Sequence, residues 1–297
     1  MLRVAAAQYP IERLPTLAAY RDKIARWVAA AADGGARLLV FPEYGAMEYV
    51  GALGDAVVGN LAASLGAVAD LLPDFDALHA DLARRHRVHI LAASGPSRRP
   101  GGRFVNAARL FAPNGKSGTQ EKLIMTPFEI GWGISPGEGL TVFETEIGRL
   151  GVAICYDSEF PLLVRALTEA GARLILIPSC TEFLSGFNRV RTAALARALE
   201  NTCATVLSPT IGEAAWSPSV DRSAGAAGVY VPADHGFSET GVLAEGSVDR
   251  PQWVFADIDL ERLARVRAAG EMRNDSDWAA QPGATPLARN AAVMSLI

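Results

Sequence analysis

Short apolar runs alternate with alanine-rich amphipathic stretches along most of the chain, and the two periodicities together predict a mixed α/β fold. Strands are expected at 2–8, 37–41, 88–93, 104–111, 140–144, 149–154, 173–177, 204–207 and 253–258. Helices are expected at 17–32, 61–85, 162–170 and 189–201, the second broken at Pro73, which lacks a backbone N–H. Asn114-Gly115 and Ile147-Gly148 read as hairpin turns. One pattern occurs twice: Gly35-Ala36-Arg37-Leu38-Leu39-Val40-Phe41-Pro42-Glu43 is echoed by Gly171-Ala172-Arg173-Leu174-Ile175-Leu176-Ile177-Pro178-Ser179. Each copy follows a helix, forms an apolar strand and ends on a proline before a polar residue. Two copies are too few for a solenoid and suit two related helix–strand halves.

Composition narrows the class. With 297 residues, half of them hydrophobic, the chain can bury a large core. No Ser/Pro-rich linker divides it, so one domain is expected over 1–270. A tail over 271–297, where periodicity is lost, is expected to lie on the body or on a partner. A net charge of −4 leaves no basic footprint for nucleic acid or an anionic membrane. The first residues are apolar too briefly for a signal peptide, and no run approaches the ~20 residues of a membrane span, so the expected location is cytoplasmic. Cys155, Cys180 and Cys203 form no CxxC pair and are odd in number, which argues against a disulfide framework or a zinc site. His79 and His86 share a helix face with His89 nearby, but no carboxylate completes a metal set.

The candidate chemistry centres on Cys155. It ends the run Leu150-Gly151-Val152-Ala153-Ile154 and opens Cys155-Tyr156-Asp157-Ser158-Glu159-Phe160-Pro161, a strand-to-helix corner that presents a thiol to a pocket. Free N–H groups at a helix start there would favour thiolate and a developing oxyanion. Glu43, at the end of its apolar strand, and Lys122, in Gln120-Glu121-Lys122-Leu123, supply a carboxylate and an ammonium. Base, oxyanion stabiliser and nucleophile together make an acyl-transfer site. A Cys155–His235 dyad is the chemical rival, with His235 on a Gly-rich loop, but it lacks the local signature of papain-type enzymes.

Glu43, Lys122 and the Cys-Tyr-Asp-x-x-Phe-Pro stretch from Cys155 to Pro161 resemble the carbon-nitrogen hydrolase (nitrilase) superfamily, over roughly residues 2–260. The resemblance implies a four-layer αββα sandwich that dimerises into an eight-layer αββααββα assembly through the helices at 162–170 and 189–201. It assigns Glu43 as general base, Cys155 as nucleophile, and Lys122 with the Tyr156 N–H as oxyanion hole. Glu129, seven positions after Lys122, matches a second glutamate set against substrate and lysine, which the resemblance makes a further catalytic residue suited to positioning and proton transfer. The repeated strand motif then brings Ser179, Cys180, Thr181 and Glu182 to the pocket as substrate-binding residues. No metal or organic cofactor is implied, and the partner is a small-molecule amide-type substrate. Two departures matter: Ile124 stands where the family often has histidine, and Tyr156-Asp157 replaces the Trp-Glu usual in true nitrilases. Cleavage of a linear amide is therefore favoured. Nitrile hydrolysis, acyl transfer to an acceptor other than water, and a catalytically idle binding module are the alternatives.

Overall fold

The computed structural model describes residues 1–270, 272–281 and 291–297. Its strands form two half-sheets. In the first, Leu2–Pro10 pairs antiparallel with Gln252–Ile258 and parallel with Leu38–Val40, followed by His89–Leu91 and the antiparallel Phe104–Phe111. In the second, Ala204–Glu213 pairs parallel with Leu174–Ser179, followed by Gly148–Val152 and the antiparallel Leu140–Thr145. A short parallel register, Tyr9 to Thr210 and Pro10 to Ile211, joins the halves.

Strand alternation sorts the first half-sheet's side chains into two layers. Val4, Ala6, Leu38 and Val40 face the cluster that also holds Val142, Leu150, Val152 and Leu176 of the other half-sheet. Ala5, Ala7, Leu39 and Phe41 face the opposite way, against Ile24, Val28, Phe75 and Leu82 of the helices Leu17–Asp33 and Leu61–His86. Helices Pro161–Glu169 and Leu184–Asn201 bring Val164, Leu167, Val190 and Ala194 to the first cluster. The layers are helix, sheet, sheet, helix: the αββα sandwich.

All nine expected strands have counterparts, within a few residues. The unexpected ones are short or polar. Ser117–Glu121 returns from the Asn114-Gly115 turn to pair with Phe104–Phe111, but Ser-Gly-Thr-Gln-Glu has no apolar alternation to announce it. Gly95–Arg98, Arg222–Ser223, Gly228–Tyr230 and Val242–Glu245 span two to four residues each.

Pro73 does not break its helix, which runs unbroken from Leu61 to His86. Leu65, Val68, Leu72, Phe75, His79 and Leu82 fall at alternating steps of three and four and are all buried, while Pro73 is exposed on the outer side. Burial of the inner stripe outweighs the missing N–H bond. The helix over Leu184–Asn201 starts five residues before the expected Arg189, because its first turn, with exposed Leu184 and Ser185, carries no amphipathic signal.

Within the expected tail, Glu271 and residues 282–290 lie outside the described residues. Asn274–Asp277 forms a helical turn, in which Asp275 pairs with Arg165 at 3.0 Å; Trp278 lies under the Arg165 guanidinium at 4.7 Å. Ala291–Ser295 adds a parallel strand beside Leu140–Thr145.

Because Pro73 is exposed on the outer side of the helix, Pro73→Ala should restore a hydrogen bond to Ala69 without opening a cavity in the core. The variant should be more stable by about 1–2 kcal/mol. A urea midpoint equal to or below that of the parent chain would contradict this account of the helix.

Candidate active site

Three chain corners meet at one end of the strands. Glu43 lies three residues beyond Leu38–Val40, Lys122 directly follows Ser117–Glu121, and Cys155 opens the 3-10 turn Cys155–Glu159 just past Gly148–Val152. Cys155 has φ 47° and Tyr44, next to Glu43, has φ 52°. Non-glycine residues in this left-handed region are held there by their surroundings, and such strain concentrates at functional sites. The amide of Tyr156 precedes the first hydrogen bond of the turn, Asp157 N–H to Ile154 O at 3.0 Å.

Lys122 is buried between two carboxylates, its Nζ 2.7 Å from Glu43 Oε1 and 2.6 Å from Glu129 Oε2. Glu129 is saturated with donors. Its Oε1 accepts from Tyr44 OH at 2.8 Å and Asn106 Nδ2 at 3.2 Å; its Oε2 also accepts from the Thr126 amide and hydroxyl, each at 3.0 Å. Thr126 and Glu129 form a capping box on the short helix Pro127–Gly131, so the bonds that start this helix also orient the carboxylate. Asn106 Nδ2 reaches Glu43 Oε1 at 3.0 Å as well. The Cys155 thiol lies 3.8 Å from the Cys180 carbonyl oxygen and interacts with Glu43. Asp157 is buried behind Cys155 and accepts from the amides of Leu123, at 3.1 Å, and Ile124, at 2.8 Å. It ties the cysteine corner to the lysine loop.

Burial raises the Glu43 pKa, and neighbouring Glu129 adds to the rise against the opposing pull of Lys122. Burial also acts upward on Glu129, but the Lys122 charge and the converging hydrogen bonds outweigh it and hold Glu129 below its usual range. For Lys122, burial works against the ammonium, yet Glu43, Cys155 and Glu129 together raise its pKa above normal. One carboxylate is thus poised to take a proton while the other stays ionised beside a permanent cation. The Cys155 thiol is pushed well above its usual pKa, first by burial and then by Glu43. Burial thus outweighs the free amides of the corner, which by themselves would favour thiolate.

These groups open into a cavity of about 440 Å³ lined by Glu43, Lys122, Glu129, Cys155 and Tyr156, with Tyr44, Phe128, Trp132 and Phe183 as aromatic walls. Cys180, Thr181 and Glu182 also line it. Ser179 does not; it is buried in strand Leu174–Ser179, whose cavity-facing continuation begins one residue later. His235 is absent from the lining, and His79 is a core residue packed at a tilt against Phe75, its pKa pushed down to about 4 by burial. Arg189 reaches the cavity but is paired with Glu159 at 3.3 Å. Sequence reasoning missed Asn106, Tyr44, Thr126 and the bridging role of Asp157. Asn106 alone carried a signal, an amide within the otherwise apolar opening of Phe104-Val105-Asn106-Ala107-Ala108.

The chain belongs to the carbon-nitrogen hydrolase family, whose model matches residues 3–268. It is 32% identical over 277 residues to the probable hydrolase YhcX of Bacillus subtilis (strain 168), a match covering 93% of this chain and 53% of that protein. The chain thus spans about half the length of that relative. Its fold matches the carbon-nitrogen hydrolase from Helicobacter pylori G27 with TM-score 0.73, at 20% identity over 90% of this chain and 92% of that one. It also matches a mutant amidase from Nesterenkonia sp. AN1 showing Michael addition of acrylamide at its active site cysteine, with TM-score 0.63, at 23% identity over 90% and 97% of the two chains.

Burial raises the Asp157 pKa from 3.8 to about 7, so the folded state keeps a proton that the unfolded state has already lost between those values. Its contribution to stability therefore declines as pH rises through this window and levels off above it. Urea midpoints measured from pH 4 to pH 8 should fall less steeply for Asp157→Asn than for the parent; parallel curves would remove Asp157 from the pH dependence.

Proposed function

We propose that the protein hydrolyses the carbon–nitrogen bond of a small linear amide through a thioester on Cys155. The observation that carries this reading is the network of Glu43, Lys122 and Glu129 opening into the same cavity as the Cys155 thiol. As Cys155 Sγ attacks the carbonyl carbon, Glu43 takes its proton. The Lys122 ammonium and the Tyr156 N–H receive the charge that develops on the carbonyl oxygen. Glu43 then passes the proton to the leaving nitrogen, and ammonia or an amine departs. A water molecule, deprotonated by Glu43, attacks the thioester and frees the acid. Glu129, with its oxygens already occupied by donors, holds Lys122 in place and transfers no proton.

Amide is favoured over nitrile by Tyr156-Asp157 after Cys155, and the Nesterenkonia neighbour, itself an amidase, supports the same choice. A homodimer formed through Pro161–Glu169 and Leu184–Asn201 is part of this reading, supported by Leu162 and Leu199, which those helices leave 55% and 43% exposed. Among the described residues, no helix is long and apolar enough to cross a membrane.

A panel of amides, nitriles and carbamoyl compounds, read by ammonia release and intact mass, tests the proposal. Amides should release ammonia and leave an acyl adduct that Cys155→Ala abolishes. Turnover that survives Cys155→Ala refutes the nucleophile, ammonia release only with an added acceptor indicates acyl transfer, and no adduct under any donor indicates an idle binding module. Lys122→Ala should lower kcat on the order of 10²-fold to 10³-fold, as loss of an oxyanion donor does. The rate of the parent enzyme should fall as pH drops through the raised Glu43 pKa, since protonation removes the base.

A further inference from the structure

Both strong hydrogen bonds to Glu43 land on one oxygen. Lys122 Nζ and Asn106 Nδ2 reach Oε1 at 2.7 and 3.0 Å. The same Asn106 nitrogen reaches Glu129 Oε1 at 3.2 Å, so a single amide group spans the two carboxylates. Ionised carboxylates only accept hydrogen bonds, which fixes the amide with its NH2 toward them. Asn106 is fully buried in strand Phe104–Phe111, and among the described residues its Oδ1 has no hydrogen-bond partner. A buried carbonyl oxygen left unpaired is unfavourable, and an apolar side chain in the strand would avoid it. What the amide gains in return lies wholly on Glu43 and Glu129.

We propose that Asn106 is a positioning residue for the base: sharing Oε1 with Lys122, it leaves Oε2 of Glu43 as the oxygen that takes the Cys155 proton, and it favours the ionised form of that carboxylate. This rests on the reading of Glu43 as the general base. The titratable groups around Glu43 are Lys122, Glu129 and Cys155, with Tyr44, Asp157 and Cys180 farther out. Lys122 is the one cation among them. Asn106 adds a donor without charge, so its removal changes proton affinity at Glu43 while the charge count of the site stays constant.

The test measures kcat, KM and the pH profile of kcat/KM for Asn106→Ala and Asn106→Asp on the best amide of the panel, beside the melting temperature. Loss of a hydrogen bond to a charged acceptor should lower kcat roughly 10-fold to 100-fold and leave KM within about twofold. The acid limb of the profile should move to higher pH in Asn106→Ala, and further in Asn106→Asp, where a third carboxylate faces Glu43. A lower melting temperature with the acid limb unmoved would mean that Asn106 serves packing alone, and would overturn the proposal. If Asn106→Ala fails to fold, Asn106→Leu, close to asparagine in size and without a donor or a charge, carries the same readout. An unmoved limb with adduct formation still dependent on Cys155 sinks only this inference; a parent profile with no acid limb at all sinks the assignment of Glu43 beneath it.

Discussion

A buried ammonium between two buried carboxylates is the constraint on which the site depends. Lys122, Glu43 and Glu129 are each about 1% exposed, and charges so removed from water are tolerated only when paired at close range. The triplet carries one net negative charge, which Tyr44, Thr126 and Asn106 support with hydrogen bonds directed at the two carboxylates. That asymmetry separates the carboxylates by role. Glu129 has donors on both oxygens and is held below its usual pKa, whereas Glu43 receives its bonds from Lys122 and Asn106 on one oxygen and is raised.

The corner at Cys155 belongs to the same system. Its left-handed backbone turns the sulfur into the cavity, and the buried Asp157 two residues later binds the amides of Leu123 and Ile124. Cys155 and Lys122 are therefore held in mutual position by backbone bonds to one carboxylate. They do not rely on direct contact with each other. The upward push on the thiol's pKa follows from the same enclosure: burial that strengthens every charge interaction in the cavity also resists an unaccompanied thiolate. A base that accepts the proton as the sulfur attacks removes that conflict.

The sandwich delivers these corners to one place. Two half-sheets pack face to face, each covered outside by a helix layer, and the strands bearing Glu43 and Cys155 both end toward the cavity. The repeated helix–strand–proline motif reflects this: its first copy ends at Glu43, and the residues just beyond its second copy, Cys180 to Glu182, line the same cavity. Ser179 shows the limit of the analogy. The second strand runs to Ser179 itself, so its residues reach the cavity one position later.

Elements with strong periodicity were legible from the chain alone: nine strands, four helices and the corner at Cys155 need only local pattern and the cysteine's context to be recognised. The unbroken helix through Pro73 was not, because the stripe from Leu65 to Leu82 is stabilised by a sheet that local propensity cannot see. Ser117–Glu121 was not, because its order comes from pairing with Phe104–Phe111 and not from apolar alternation of its own. The identities of Glu43, Lys122 and Cys155 as candidates were set by residue type and resemblance. Which carboxylate can change its protonation, and which amide and hydroxyl groups enforce that difference, were decided only by tertiary structure, since hydrogen-bond partners 23, 63 or 85 positions apart become neighbours only once the sheets have packed.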